Sequence, residues 1–197
     1  MNSTVLVSFN SIMFLLLIVF VFLIPALKLK QQGIQSFHFG ADDSAHNFNG
    51  KLIKIIFLLI ALPLILYYLN PSSLNFFNRF QLDALAPIGI LITMMGFFWT
   101  LFAQKSMSES WRVGIDEKTS SELKKSDAFL LSRNPVYLGM LVMLFGHFLT
   151  MNSLYHLMLL FFSWAVLSLQ IRLEEEFLMK KHGDEYRRYC QEVRRWL

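Results

Sequence analysis

The chain has 197 residues, of which 55% are hydrophobic and 16% are charged, and its mean hydropathy is +0.46. A soluble domain interrupts its apolar runs with charge, whereas several windows here approach the roughly 20 apolar residues that cross a bilayer. The net charge of +4 does not gather on one basic face, which argues against nucleic-acid binding, and the single cysteine, Cys190, excludes an internal disulfide. The composition therefore indicates an integral membrane protein.

Five apolar segments of the sequence predict membrane-spanning helices. They cover residues 5–27, 52–69, 85–102, 135–151 and 154–171. Pro63 lies within the second segment, where its missing N–H predicts a kink. The aromatic stretch 74–80 is expected at the membrane interface, and Asn152-Ser153 is expected to form a tight turn between the last two spans. The sequence thus predicts an all-α, polytopic membrane protein with about five transmembrane helices.

Lysine and arginine are distributed unevenly between the two sides of this arrangement. With the N-terminus outside, the regions 28–51, 104–133 and 172–197 face the cytoplasm. Of the 18 basic residues only Arg79 then falls on the outer side, while Lys54 lies just inside the cytoplasmic end of its span. This asymmetry is the one that the positive-inside rule predicts. We therefore expect an outer N-terminus and a cytoplasmic C-terminus.

The polar loop 31–50 contains four residues that can ligate metals, His38, Asp42, Asp43 and His46. Their spacing matches no zinc signature, and polar loops of this kind are usually solvated. We therefore predict no metal site in the protein.

The charged segment after the fifth span predicts two helices. The span is expected to continue as a helix from Arg172 to Lys181 and to end at Gly183, with Asp184 as the N-cap of the next helix. That helix carries one apolar stripe, formed by Tyr186, Tyr189, Cys190, Val193 and Leu197. Such an amphipathic helix lies along the cytoplasmic leaflet or folds over whatever the end of the neighbouring hairpin holds.

Charged residues flank the hairpin that the last two spans form. Arg133 precedes the fourth span, and Arg172 with three glutamates, 174–176, follows the fifth, so the hairpin brings them to the same side of the membrane. Each feature has a simpler explanation, because Asn134-Pro135 is a common helix start and Arg172 can pair with glutamates of its own helix. Three adjacent carboxylates at an anionic membrane surface suggest a cationic or hydroxyl-rich ligand. We interpret the meeting point as an active site.

Three separated motifs resemble the isoprenylcysteine carboxyl methyltransferase family. They are Ser132-Arg133-Asn134-Pro135-Val136-Tyr137-Leu138-Gly139, Arg172 with Glu174-Glu175-Glu176, and Gly183-Asp184-Glu185-Tyr186 followed by Tyr189. Their order and spacing make the resemblance more specific than any single motif. The resemblance covers about residue 108 to the C-terminus, where the family is similar to membrane phospholipid N-methyltransferases. Asn134 stands where the family usually has histidine, and Asp127 where it usually has glycine.

The resemblance implies a cytoplasmic pocket for S-adenosylmethionine, closed by the C-terminal helices, and a tunnel from the bilayer for a lipophilic acceptor. Arg172 and Glu175 are the implied catalytic residues. Arg172 would hold a carboxylate acceptor, and Glu175, or alternatively Glu176, would act as base for an amine or thiol. The residues that the resemblance assigns to the cofactor are Ser126, Phe129, Arg133, Asn134, Tyr137, Gly139, Glu176, Tyr186 and Tyr189. Trp111 and Arg112 are the implied substrate contacts.

The implied activity is methyl transfer to a lipophilic acceptor, such as the carboxylate of an isoprenylcysteine-like molecule, in a bacterial inner membrane. A phospholipid, or a small thiol or amine, is an alternative acceptor. A protein similar to the sterol reductases and a non-enzymatic membrane scaffold are alternatives from other classes. We expect residues 1–103 to supply three transmembrane helices and residues 104–197 to form the methyltransferase core. The expected partners are the bilayer and the acceptor, whereas the oligomeric state does not follow from the sequence.

Overall fold

The computed structural model describes residues 2–33, 37–38, 43–77, 80, 82–107, 113–114 and 123–197. Within them, the helices are α1 (Ser3–Gln31), α2 (Ala45–Leu69), α3 (Ala86–Met107), α4 (Pro135–Met151), α5 (Leu154–His182) and α6 (Asp184–Glu192). Short 3₁₀ turns occupy Pro71–Phe77, Asp83–Leu85 and Asp127–Leu130. The strands β1 (Phe37–His38) and β2 (Val113–Gly114) pair in parallel, with Phe37 opposite Val113.

Four of these helices are long and apolar enough to cross a membrane. They are α1, α2, α3 and α5, with 29, 25, 22 and 29 residues. Helix α4 is also apolar and has 17 residues. At the α-helical rise this corresponds to about 26 Å, near the lower limit for a crossing. The all-α, polytopic membrane fold predicted from the sequence is therefore confirmed.

The observed helices extend beyond the predicted spans at the ends where polar residues are capped or paired. Helix α2, for example, begins at Ala45, seven residues before the predicted start at residue 52. The side chain of Ser44 accepts a hydrogen bond from the backbone N–H of Asn47 at 3.3 Å, which caps the first turn. The apolar-run criterion could not include this turn because its residues are polar.

Helix α1 has an irregular turn next to a proline. Pro25 has no N–H to offer the carbonyl of Val21, four residues earlier, and the helix is π-helical over Leu17–Leu23. The side-chain amide of Gln104, from α3, donates to the Val21 carbonyl at 2.6 Å. A neighbouring helix thus satisfies a carbonyl that could find no water inside a membrane.

Helix α2 contains the second proline of this kind. It continues through Pro63 from Ala45 to Leu69, and the carbonyl of Leu59 has no N–H partner four residues ahead. The hydroxyl of Tyr155, from α5, donates to this carbonyl at 2.7 Å. Both proline sites are therefore compensated by polar side chains of adjacent helices, which also fix how the helices pack.

Helices α3 and α4 approach each other closely through small residues. A Cβ atom added to Gly139 would collide with the side chain of Thr100, and one added to Gly146 would lie 2.7 Å from the carbonyl oxygen of Gly89. Close helix contacts in membranes commonly depend on glycine for this reason. The packing of α4 against α3 fixes the position from which the residues before α4 reach the end of the bundle.

The end of α5 follows the sequence prediction, with one correction. The helix runs unbroken from Leu154 to His182, and Gly183, with φ of +52°, ends it. The prediction that Asp184 is an N-cap is wrong, because Gly183 occupies that position and Asp184 is the first residue of α6. Asp184 instead pairs with Arg187, one turn later, at 3.1 Å.

Helix α6 folds over the end of the α4–α5 hairpin, which is one of its two predicted placements. The buried residues on its contact face are Tyr186, Tyr189 and Val193, which pack with Leu123, Leu178, Met179 and Cys190. The predicted apolar stripe is too long, because α6 ends at Glu192 and Leu197 is 67% exposed. The C-terminal helix is therefore part of the folded domain.

Candidate active site

The two ends of the α4–α5 hairpin meet, as the sequence predicts. Arg133, just before α4, donates to Glu175 of α5 through Nε at 3.1 Å, and its Nη2 lies 3.0 Å from the same carboxylate oxygen. The two side chains are only 11% and 12% exposed. The pair is consequently shielded from water, unlike a surface salt bridge. We call the cluster of residues 132–134, Glu175 and residues 193–195 the charged end of the bundle.

The second oxygen of Glu175 binds the C-terminal segment. Arg195 donates to it from Nε at 3.0 Å and from Nη2 at 2.6 Å, and this hydrogen bonding raises the pKa of Arg195. The side-chain amide of Asn134 donates to the first oxygen at 3.5 Å and to the carbonyl of Arg195 at 3.3 Å. Both oxygens of Glu175 therefore have donors, and the amide of Asn134 supplies one of them.

Arg133 also holds the backbone of the C-terminal segment. Its Nη1 donates to the carbonyls of Cys190 and Val193 at 3.0 and 2.9 Å, and its backbone N–H donates to the carbonyl of Arg194 at 3.0 Å. Arginine has five donors in a fixed fork, so one side chain can bind a carboxylate and two carbonyls together. Arg133 is thus the residue that joins α4, α5 and the C-terminus.

Glu174 has a different environment from its neighbour Glu175. Its carboxylate accepts hydrogen bonds from the hydroxyl of Tyr137 at 2.5 Å and from the side-chain amide of Gln170 at 2.9 Å. Gln170 in turn accepts from the amide of Asn49, in α2, at 2.9 Å. The two glutamates diverge because consecutive residues of a helix project about 100° apart. No lysine or arginine of the described chain segments pairs with Glu174.

An apolar cavity of about 150 Å³ extends from Glu174 into the membrane-spanning part of the bundle. Helices α1 to α5 all contribute to its lining, mainly with methionine, phenylalanine, leucine and isoleucine side chains. Its polar lining residues at the charged end are Tyr137, Gln170 and Glu174, and those farther along are Asn10, Thr93 and His147. A mostly apolar pocket with a few convergent polar groups is the usual form of a small-molecule site.

The far end of the cavity contains a buried group of polar side chains. Nδ1 of His147 lies 2.7 Å from Oδ1 of Asn10, and the amide of Asn10 donates to the hydroxyl of Thr150 at 2.9 Å. The three residues are 7%, 3% and 0% exposed, respectively. Polar residues are costly inside a membrane and usually serve a function there.

Arg172 and Glu176 lie on an exposed face of α5, away from the contacts of Glu175. They are four residues apart and therefore share that face, and Glu176 pairs with Lys180 at 2.6 Å. Within the described parts of the chain, no hydrogen bond or ion pair joins Arg172 to the charged end. The catalytic role of Arg172 and the cofactor role of Glu176 stay predictions.

The tyrosines that were predicted to bind the cofactor anchor α6 in this structure. The hydroxyl of Tyr189 donates to the carbonyl of Phe129 at 2.7 Å, and burial raises the pKa of Tyr189 to about 12 and also raises the pKa of Tyr186. Ser126 is exposed and precedes Asp127, whose φ of +55° is in the left-handed region. That conformation suits glycine, the residue that the resembling family has at this position.

Other predicted residues lie outside this group. Gly139 faces α3, where it permits the close helix contact. Trp111 and Arg112, the predicted substrate contacts, lie outside the described residues, as do Arg79 and Asp42. Their roles stay predictions.

The sequence analysis missed four residues of the site. Glu174 belongs to the acidic motif and Arg195 to the charged C-terminal tail, but nothing in the sequence shows which glutamate faces the cavity or where the C-terminus returns. Gln170 and His147 could have been found, because a polar residue within a predicted span is unusual and suggests a function.

Comparison with known proteins identifies similarity over the region that contains the site. A family model described as phospholipid methyltransferase matches residues 85–185, about half of the chain, from the start of α3 into α6. An uncharacterized protein of Haemophilus influenzae is 46% identical over 63 residues, which are 32% of this chain and 100% of that protein. The family match contains Arg133, Glu174 and Glu175 and stops before Arg195.

Proposed function

Because this chain belongs to the phospholipid methyltransferase family, whose members are membrane methyltransferases, we propose that it transfers a methyl group from S-adenosylmethionine to a lipophilic acceptor. The acceptor's reactive group lies at the charged end and its apolar part lies in the cavity. The reactive group is a carboxylate, as in an isoprenylcysteine-like molecule, or the headgroup of a phospholipid, or a small thiol or amine. The charged end faces the cytoplasm, in keeping with the excess of lysine and arginine on that side.

The proposal is supported mainly by one observation: two consecutive glutamates of α5 lie in two adjoining parts of the site. Glu175 is bound by Arg133 and Arg195 at the closed, charged end, and Glu174 lines the apolar cavity. The junction between them is where a polar methyl donor and a lipophilic acceptor can meet. Enzymes gain much of their rate from holding two reactants in such proximity while excluding water.

The residues at this junction fit a cationic methyl donor. The partly buried carboxylate of Glu174 has only neutral partners among the described residues, the hydroxyl of Tyr137 and the amide of Gln170. A buried negative charge is costly unless a cation compensates it, and a sulfonium ligand would bring that cation. When bound, S-adenosylmethionine supplies an electrophilic methyl group on such a sulfonium. Tyr137, Gln170 and Glu174 would hold it.

The protein's own residues have separate tasks in this proposal. Arg133 and Glu175 keep the C-terminal segment in place, so that water is excluded from the junction. The predicted roles of Arg172 with the acceptor and of Glu176 with the donor require these ligands to extend around α5 to its exposed face, because Glu174 lies about 200° away from both on the helix. A carboxylate acceptor is already ionised and needs no base, whereas a protonated thiol or amine would pass its proton to a glutamate at the junction.

The size of the cavity supports an apolar ligand. A space of about 150 Å³ that is lined mainly by apolar side chains is large enough for part of an apolar chain. We infer that the apolar chain of the substrate fills this space in the bound state. Lipid tails could enter the same space, and the acceptor must therefore compete with them.

Binding of S-adenosylhomocysteine, the demethylated donor, tests the proposal without knowledge of the acceptor. Purified protein in nanodiscs is heated with increasing concentrations of this ligand, and the midpoint of thermal unfolding is recorded. We expect stabilisation, which amounts to about 2.7 kcal/mol when the ligand is at 100 times its Kd. No shift of the midpoint at any concentration would contradict the proposal and favour a non-enzymatic membrane scaffold.

A matched pair of variants locates the binding site. Glu174→Gln removes the charge next to the proposed sulfonium position, and Glu185→Gln removes an exposed carboxylate on α6 that pairs with Lys125. Because S-adenosylhomocysteine is a neutral thioether at sulfur, the charge effect is measured with sinefungin, whose amine is cationic at that position. We expect Glu174→Gln to weaken sinefungin binding at least tenfold and Glu185→Gln to leave it unchanged. Equal affinities for the two variants would place the donor elsewhere.

A further inference from the structure

A buried histidine lines the far end of the cavity, and one of its ring nitrogens forms no hydrogen bond with the described bundle. His147 lines the cavity and is 7% exposed. Its Nε2 is buried and has no hydrogen-bond partner within the described residues. Nearly all buried polar atoms in proteins are paired, so an unpaired one on a residue that lines a cavity suggests a group that arrives with a ligand.

The partners of Asn10 fix which way its amide points. Its nitrogen donates to the carbonyl of Leu6 at 2.8 Å and to the hydroxyl of Thr150 at 2.9 Å. A carbonyl can only accept, so the atom facing Leu6 must be the amide nitrogen. The oxygen of Asn10 is therefore the atom that faces His147.

This orientation fixes the tautomer of His147. Nδ1 lies 2.7 Å from the oxygen of Asn10, which can only accept, so Nδ1 carries the hydrogen. A neutral imidazole then has its lone pair on Nε2. The ring is buried, and its polar neighbours, Asn10 and the His156 ring at 4.9 Å, carry no negative charge, which favours the neutral form; Glu174 lies at the opposite end of the cavity. Nε2 is thus an acceptor and requires a donor.

The distance between the two ends of the cavity defines the length of a ligand that reaches both. Tyr137 and His147 both lie on α4 and both line the cavity, ten residues apart. At the α-helical rise this is about 15 Å. A molecule with its reactive group beside Tyr137 therefore places a group about 15 Å along its chain next to His147.

We propose that the acceptor carries a hydroxyl or N–H group on its apolar part, about 15 Å from its reactive group, and that Nε2 of His147 accepts a hydrogen bond from it. This inference rests on the proposed function, in which the ligand of the cavity is the methyl acceptor. It specifies the substrate class as a chain or ring system with an internal donor group. A plain prenyl or acyl chain would fill the cavity and leave His147 unpaired, so His147 is a specificity-determining residue.

The test uses two series of probes and needs no methyl transfer. Alkyltrimethylammonium salts of graded chain length offer a cation to Glu174 and an apolar chain to the cavity, and their ω-hydroxy analogues add one donor at the far end. Dissociation constants are measured by titration calorimetry with the full chain in nanodiscs. At one chain length we expect the hydroxylated compound to bind at least tenfold tighter than the plain compound. For shorter and longer chains, the ratio of the two dissociation constants should approach one.

Two histidine variants test whether the preference for the hydroxylated probe depends on the ring of His147. In His147→Phe the ratio should fall to about one at every chain length, because phenylalanine keeps a ring but offers no acceptor. His182→Phe makes the same chemical change at the end of α5, outside the cavity lining, and should keep the wild-type ratio. Should His147→Phe fail to fold, the wild-type series decides alone, since equal affinities at all lengths would overturn the proposal.

The outcome can be separated from that of the proposed function. Binding of S-adenosylhomocysteine is measured on the same preparation. If this ligand binds and the hydroxyl preference is absent, the inference about His147 is wrong and the methyltransferase proposal stands. If the preference is present and S-adenosylhomocysteine does not bind, the cavity recognises a donor group but the methyltransferase proposal is wrong.

Discussion

The charged end of the bundle and the interior of the cavity differ in the partners that their polar groups have. At the charged end, each oxygen of Glu175 has a guanidinium partner, and Arg133 uses its remaining donors on backbone carbonyls. In the cavity, Glu174 has neutral partners alone, and Nε2 of His147 has none in the described chain. In the charged end the protein itself supplies the ionic partners of Glu175. In the cavity the described residues supply neither a cation for Glu174 nor a hydrogen bond for Nε2 of His147.

This difference separates residues that shape the site from residues that meet a ligand. A saturated, nearly buried ion pair contributes to the arrangement of the chain, and breaking it is more costly than its net contribution to stability. In the cavity, a carboxylate without a cationic partner, or a ring nitrogen without a hydrogen bond, can gain that partner when a ligand binds. The motif residues Arg133 and Glu175 belong to the first kind, whereas Glu174 and His147 belong to the second.

The largest expected effect comes from breaking the saturated cluster. Glu175→Gln removes the charge between Arg133 and Arg195, and we expect the C-terminal segment to detach at a cost of about 3 kcal/mol, the low end for a buried pair. Limited proteolysis should then cut the segment after Gly183 readily, and methyl transfer should be lost. Glu185→Gln, which breaks only an exposed pair, is the control. Equal protection of the two variants would show that Glu175 does not hold the C-terminus.

The next effect tests the unsaturated carboxylate. Glu174→Gln keeps an oxygen for the hydroxyl of Tyr137 but removes the negative charge, so we expect an unchanged melting temperature and a fall in methyl-transfer rate of about 100-fold or more. Initial rates with a labelled methyl donor provide the measurement. A variant with the wild-type rate would mean that the charge of Glu174 plays no part in the reaction.

A smaller effect is expected at the exposed face of α5. Arg172→Ala removes a charged hydrogen-bond donor for an anionic acceptor, and we expect the KM for that acceptor to rise about tenfold, since such bonds contribute about 1.5–3 kcal/mol. The affinity for S-adenosylhomocysteine should not change. If the affinity for S-adenosylhomocysteine is lost while the KM for the acceptor is unchanged, Arg172 contacts the methyl donor and not the acceptor.

The smallest effect concerns the anchoring of α6 at high pH. The pKa of Tyr189 is about 12 when α6 is docked, against about 10 for a free tyrosine, so the docked state holds the proton more tightly. Docking is therefore fully stable below about pH 10 and weakens as the pH rises through about 12. A difference titration of tyrosinate absorbance between wild type and Tyr189→Phe should show one step near 12. A step near 10 would indicate that Tyr189 is accessible to water.

The sequence was sufficient for the membrane-spanning helices and for the meeting of the two hairpin ends. Apolar runs give spans because the bilayer imposes their length. The convergence of Arg133 and Glu175 follows from the short turn between α4 and α5, since a two-residue connection leaves the helices no other arrangement. These predictions rest on local rules, and the structure confirms them.

The unpredicted parts depend on contacts between distant segments. The early start of α2 depends on its own cap and on Asn49, which is buried against Gln170 of α5. The assignment of Glu174 to the cavity depends on how α5 is rotated about its axis, which is set by packing against α2 and α4. The return of Arg195 to Glu175 depends on the turn at Gly183. Local patterns supply the cap at Ser44 and the turn at Gly183, but they do not encode these contacts between distant segments.

Transfer of a labelled methyl group in isolated membranes tests the central claim most directly. Membranes that contain the wild type, Glu174→Gln or Glu185→Gln are incubated with methyl-labelled S-adenosylmethionine, and label is counted in the organic extract. We predict labelled lipophilic product with the wild type and Glu185→Gln, and a loss of about 100-fold with Glu174→Gln. No label above that of membranes lacking the protein, or equal label with all three forms, would contradict the account.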